Sequence, residues 1–147
     1  KLSSRLISSS RMRIHNYQLG ALYEAEFEAE ALRRNFIPHR PTFPVAWDFL
    51  VECPKGLLKV QVKGTSASSS EDGGRSFKVM TSQGSKKKRT IGEEVDVIAC
   101  WIDPVKVWYV IPSAAKLTKC IRLFAASDRS SSKYEKFRNN WSPFYDH

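Results

Sequence analysis

At 147 residues, with 41% apolar and 27% charged side chains, the chain is long enough to bury a hydrophobic core and has the composition of a globular protein. No apolar run approaches the length needed to span a bilayer, so a membrane-crossing role is excluded. The net charge of +9 favours a polyanionic partner, DNA or RNA, because each phosphate neutralised releases condensed counter-ions.

The first 23 residues hold no acid and carry Lys1, Arg5, Arg11 and Arg13 among serines. A basic arm over residues 1–15, lying on nucleic acid, is one reading. The remnant of an organelle transit peptide and a loose chain end are the others, since transit peptides share this Arg- and Ser-rich, acid-poor character. Residues 16–147 then form one domain. From Asn16 to Phe36 the pattern predicts a helix, with Leu22, Ala25, Ala29, Leu32 and Phe36 as its apolar stripe. Asn16 suits its N-cap, Arg33 and Arg34 suit its C-terminal end, and Pro38 stops it.

Two β-rich runs follow, Val45 to Cys53 and Leu57 to Val62, joined by the turn sequence Pro54-Lys55-Gly56 into a hairpin. Ser66 to Gly74 reads as a loop and Ser76 to Met80 as a short third strand. Lys86, Lys87, Lys88 and Arg89 form a basic run on the next loop. Strands over Val95 to Ile102 and Val105 to Ile111 turn at Asp103-Pro104. A short helix over Pro112 to Lys116, an edge strand over Ile121 to Phe124 and a terminal helix over Lys133 to Trp141 complete the chain. The order describes an α/β fold around one mixed sheet flanked by helices. Trp101, Trp108, Tyr109 and Trp141 are expected in the core or an interface, ahead of a base-stacking role. Cys53, Cys100 and Cys120 lack the spacing of a disulfide or zinc framework and imply an intracellular, reducing compartment. His15, His39 and His147 are scattered and read as structural or surface residues.

The hairpin carries the chemistry. In its second strand Leu58, Val60 and Val62 face one way and Lys59, Gln61 and Lys63 the other, so Gln61 and Lys63 are neighbours on one face. Asp48 interrupts the apolar run Trp47-Asp48-Phe49-Leu50-Val51, and a carboxylate there needs a cation or donor to compensate its burial. Oxygens from Asp48 and Gln61 suit Mg²⁺ beside a phosphodiester, where the ion offsets charge on the phosphoryl oxygens. Lys63 suits the attacking water or the pentavalent transition state. Among the acids of the first helix, Glu24, Glu26, Glu28 and Glu30, spacing alone makes no choice. For phosphate contact, Lys86, Lys87, Lys88 and Arg89 stand first, then Arg75, Lys78, Arg11 and Arg13.

The stretches from Gly20 to Phe27, Trp47 to Val51 and Leu58 to Thr65, with Gln61-Val62-Lys63 at their centre, resemble the PD-(D/E)XK endonucleases encoded in group I introns. More broadly they resemble restriction enzymes and archaeal Holliday-junction resolvases. Val95 to Trp101, Val107 to Pro112 and the tail from Lys133 to Trp141 are similar to the same family's second half, so the likeness runs over about residues 16 to 142. The resemblance implies a restriction-endonuclease-like αβββαβ core and an Mg²⁺-dependent DNA endonuclease, with Mn²⁺ as substitute. It implies a catalytic set of Glu24 (Glu28 as fallback), Asp48, Gln61 and Lys63, with Glu24, Asp48, Gln61 and the backbone carbonyl of Val62 as metal ligands. It also implies double-stranded DNA as partner, RNA as a further possibility, and a homodimer or homotetramer. Gln61 departs from the superfamily's usual Glu; a neutral amide binds a hard cation more weakly, which favours one metal over two. Two alternatives follow from the same residues: a catalytically inactive nucleic-acid-binding protein of this fold in a ribonucleoprotein or other assembly, and a junction resolvase.

Overall fold

In the computed structural model the described residues are 2–81, 94–115, 117–126 and 132–145, with side chains of the first helix described from residue 15 onward. That helix, α1, spans Leu2–Arg33. It therefore continues upstream of Asn16, through the segment expected as an arm.

The buried line of α1 differs from the predicted one. Tyr23, Phe27 and Ala31, spaced by four, are buried, while Leu22 and Leu32 are 40% and 57% exposed. Both lines satisfy helical periodicity but lie on opposite faces, since Phe27 stands two residues, about 200° of rotation, from both Ala25 and Ala29. Volume decides between them. Phe27 places its ring 5.2 Å from that of Phe49, 5.9 Å from Trp108 and 6.3 Å from Phe144, a contact set no alanine could make. Nor does Pro38 end the helix. Asn35 takes the left-handed conformation at φ 63°, and Phe36 N–H donates to Ala31 O at 2.9 Å while Asn35 N–H donates to Leu32 O at 3.0 Å. This pair of bonds satisfies the last carbonyls and turns the chain.

Among the described residues seven strands follow: β1 (Ile37–His39), β2 (Phe49–Cys53), β3 (Gly56–Thr65), β4 (Phe77–Met80), β5 (Val97–Ile102), β6 (Val107–Pro112) and β7 (Cys120–Leu123). The hairpin predicted around Pro54-Lys55-Gly56 is β2–β3. The main sheet has the order β1-β2-β3-β5-β6 and is mixed, since β3 and β5 run parallel and the other pairs antiparallel. Pro38 sits in the edge strand β1, where a missing N–H is tolerated.

β4 and β7 leave the main sheet and pair with each other as a separate two-stranded sheet. A third strand within the main sheet was expected at β4. Its buried residues Phe77 and Val79 instead face Ile98, Cys100, Ile102, Tyr109 and Ile111 as part of a second layer. Every residue of β5 is buried, because α1 covers one face through Val97, Ala99 and Trp101 and the small sheet covers the other. The short helix after Pro112 is a 3₁₀ turn over Ser113–Ala115. The terminal helix expected over Lys133 to Trp141 is replaced by 3₁₀ turns at Glu135–Phe137 and Ser142–Phe144, broken by Asn139 at φ 47°. Trp141 and Phe144 from this tail close the α1 core. Trp101, Trp108, Tyr109 and Trp141 are all buried, as expected. Among the described residues no helix is long and apolar enough to cross a membrane.

Candidate active site

The site forms where β2 leaves the edge of β3. Pairing between the two ends at Phe49↔Val60, but β3 continues to Thr65 along its other neighbour, β5. Asp48, the residue just before β2, takes over the exposed ladder. Its N–H donates to Val60 O at 2.9 Å, and its side-chain Oδ2 accepts from Val62 N–H at 2.8 Å. A carboxylate thus stands where the next backbone carbonyl of β2 would stand.

Burial pushes the Asp48 carboxyl up to about 6, with nearby Glu24 adding to the rise. The Val62 N–H bond, Lys63 and Arg40 oppose it without overcoming it. An acid held part-protonated near neutrality by desolvation is under-compensated, and an added cation would relieve it.

A cavity of about 510 Å³ opens at this edge, with Glu24, Asp48, Gln61, Val62 and Lys63 in its wall. Glu24 arrives from α1, one residue beyond the buried Tyr23, so packing of the helix sets its position. Tyr23 lies flat against Gly64: a Cβ on Gly64 would stand 2.5–2.8 Å from its ring carbons. The Tyr23 hydroxyl also hydrogen-bonds Ser66 Oγ in the same wall. Gln61 and Lys63 are half-buried on β3 and alternate with the buried Val60 and Val62.

Arg40, which no sequence pattern singled out, is held here as well. Its Nη1 donates to Glu24 Oε1 at 3.0 Å and its Nη2 to Glu28 Oε2 at 2.9 Å. The signal was present as two acids four apart on one helix face, a spacing that a guanidinium fork spans. Glu28, the fallback for Glu24, is thereby committed to Arg40 and is absent from the cavity wall.

Of the residues expected to contact phosphate, Arg75 and Lys78 are described, and neither lines the cavity. Arg75 Nε donates to Asp72 O at 2.8 Å, and Lys78 and Arg122 both pair with Glu71. Lys86, Lys87, Lys88 and Arg89 lie outside the described residues, and Arg11 and Arg13 lie in the part of α1 whose side chains are not described. Cys53, Cys100 and Cys120 are free thiols, and burial raises that of Cys100 to about 12, which keeps it inert.

Among the described residues no cluster of three or more Asp, Glu, His or Cys side chains is assembled to enclose a metal. The oxygen donors among the side chains of the cavity wall include the carboxylates of Glu24 and Asp48 and the amides of Gln61 and Asn16. This all-oxygen, partly open set fits a hard divalent cation that keeps several waters, and fits zinc poorly.

No curated protein matches the chain. The solved structure of a bacterial homing endonuclease, I-Ssp6803I, superposes with a TM-score of 0.68 at 18% identity, over 83% of this chain and 85% of that one, which establishes likeness of fold. The PD-(D/E)XK endonuclease family matches residues 14–143, a span that contains α1 from its described side chains onward, every strand and the cavity. The chain belongs to the PD-(D/E)XK endonuclease family.

Proposed function

We infer that this protein is a divalent-metal-dependent endonuclease that hydrolyses phosphodiester bonds in duplex DNA, with Mg²⁺ as cation and Mn²⁺ as substitute. One observation carries the reading: Glu24, Asp48, Gln61, Val62 and Lys63 meet in one cavity at the opened edge of β3. Asp48 and Gln61 hold the cation together with the Val62 carbonyl, and Glu24 supports it directly or through water. The bound ion supplies charge neutralisation at the phosphoryl oxygens and lowers the pKa of a water. Asp48 is kept in place by the Val62 N–H, so its orientation is set before substrate arrives. The Lys63 ammonium holds the attacking water or the pentavalent phosphoryl group. A net charge of +9 supplies the long-range attraction to DNA, with Lys86 to Arg89 as phosphate contacts.

The test is nicking or linearisation of plasmid DNA with Mg²⁺ and with Mn²⁺, run beside Lys63→Ala. Loss of one stabilising donor should lower the cleavage rate by about a hundredfold or more while DNA retention is kept. Binding without cleavage at any concentration of either metal would convert the reading to that of an inactive nucleic-acid-binding member of the fold. Faster cleavage of four-way junctions than of linear duplex would identify a resolvase.

A further inference from the structure

Arg40 joins three parts of the cavity region. Its guanidinium bridges Glu24 and Glu28 on α1, and its Cζ lies 4.6 Å from the ring centroid of Phe49, the residue that follows Asp48. The fork therefore spans from the helix that carries one acid to the strand entrance that carries the other. Stacking on Phe49 restricts the guanidinium plane, and two bonds to two carboxylates restrict its reach. Three carboxylates, Glu24, Glu28 and Asp48, are then faced by two cations, Arg40 and Lys63. One divalent ion over-neutralises that set, and a second would meet a positive site.

Resting on the nuclease reading above, we propose that Arg40 is a positioning residue that ties Glu24 in place and takes up its charge, restricting the cavity to a single, moderately bound divalent cation held chiefly by Asp48. Removing the arginine frees Glu24 to act as a full ligand, so the cation binds tighter. It also removes the tether that fixes where the Glu24 carboxylate stands, so each bound cation is used less well.

Mn²⁺ binding to the metal-free chain, without DNA, measures the first effect by calorimetry or by loss of the free-ion resonance signal. Because Arg40 is about half exposed, solvent screens its charge, and Arg40→Met should bind Mn²⁺ about fivefold tighter than the parent. Arg40→Gln retains a planar group over Phe49 and loses the charge; it should shift the same way and serves if the methionine variant folds poorly. In a Glu24→Gln background the gain should shrink to within about twofold, because Arg40 acts through Glu24. At saturating Mn²⁺, Arg40→Met should still cleave about tenfold more slowly. Unchanged Mn²⁺ affinity in both Arg40 variants, or an equal gain with and without Glu24, overturns the proposal while the metal-site reading stands. A parent chain that binds no Mn²⁺ overturns both together.

Discussion

Asp48→Asn should make the protein more stable and stop cleavage. The asparagine side chain has the same shape, and its amide oxygen can still accept from the Val62 N–H that Asp48 Oδ2 now engages. It removes a carboxyl that burial raises to about 6 from an ordinary 3.8. The folded protein holds a proton there that the unfolded chain has already released, so the stabilising contribution is complete below about pH 4 and is lost as pH rises through 6. At pH 7.5 the ionised carboxylate is a cost, and removing it should add about 1–2 kcal/mol after discounting for partial exposure, or roughly 3–6 °C in Tm. Cleavage should fall by about a thousandfold or more, since a charged ligand is replaced by a neutral one. Thermal melts of the metal-free protein at pH 4.5 and 7.5 separate this from a generic effect: the gain at pH 4.5 should be only about a third of that at pH 7.5, because the unfolded chain has already lost most of this proton while the folded one keeps it. An equal gain at both values would show that Asp48 is not strained by burial. In the parent, cleavage under limiting metal should also decline below about pH 6, as protons compete for Asp48.

Gly64→Ala should damage both the fold and the site. A methyl group on that residue would overlap the Tyr23 ring, with carbons 2.5–2.8 Å from the new atom, and the ring is buried and cannot swing aside cheaply. Accommodation requires α1 to lift from β3. That overpacking should cost about 2–3 kcal/mol. The same lift carries Glu24 away from Asp48, so the cleavage rate should drop by at least about tenfold even in protein that remains folded. Urea unfolding and single-turnover cleavage measure the two effects. Tyr23→Leu in combination provides the control, since a smaller side chain leaves room for the methyl. A loss from Gly64→Ala that is the same with Tyr23 and with leucine would place the strain elsewhere.

Several features of this molecule were fully determined by local chain chemistry. Alternation along β3 made Gln61 and Lys63 neighbours, and a turn at Pro54-Lys55 followed by Gly56 with φ 127° closed the hairpin that carries them. The isolated acid in the run around Asp48 announced its own cost, and the cavity at the opened edge of β3 is where that cost is met. Trp101, Trp108, Tyr109 and Trp141 were legible as large apolar side chains to be covered, and all four are buried.

The rest depended on partners distant in the chain. Two lines on α1 were equally periodic, and the choice between them was made by what Phe27 meets across the sheet, through Phe49, Trp108 and Phe144. Whether β4 joined the main sheet or paired with β7 turned on which layer could bury Phe77 and Val79. Helical spacing did not separate Glu24 from the neighbouring acids, and it lines the cavity because Tyr23 beside it packs on Gly64; Arg40 met Glu24 and Glu28 only when the end of β1 lay beside α1. Periodicity and turn chemistry act over a few residues and are written in the chain. Packing volume and charge pairing between segments exist only once those segments touch, and the tertiary structure decided them.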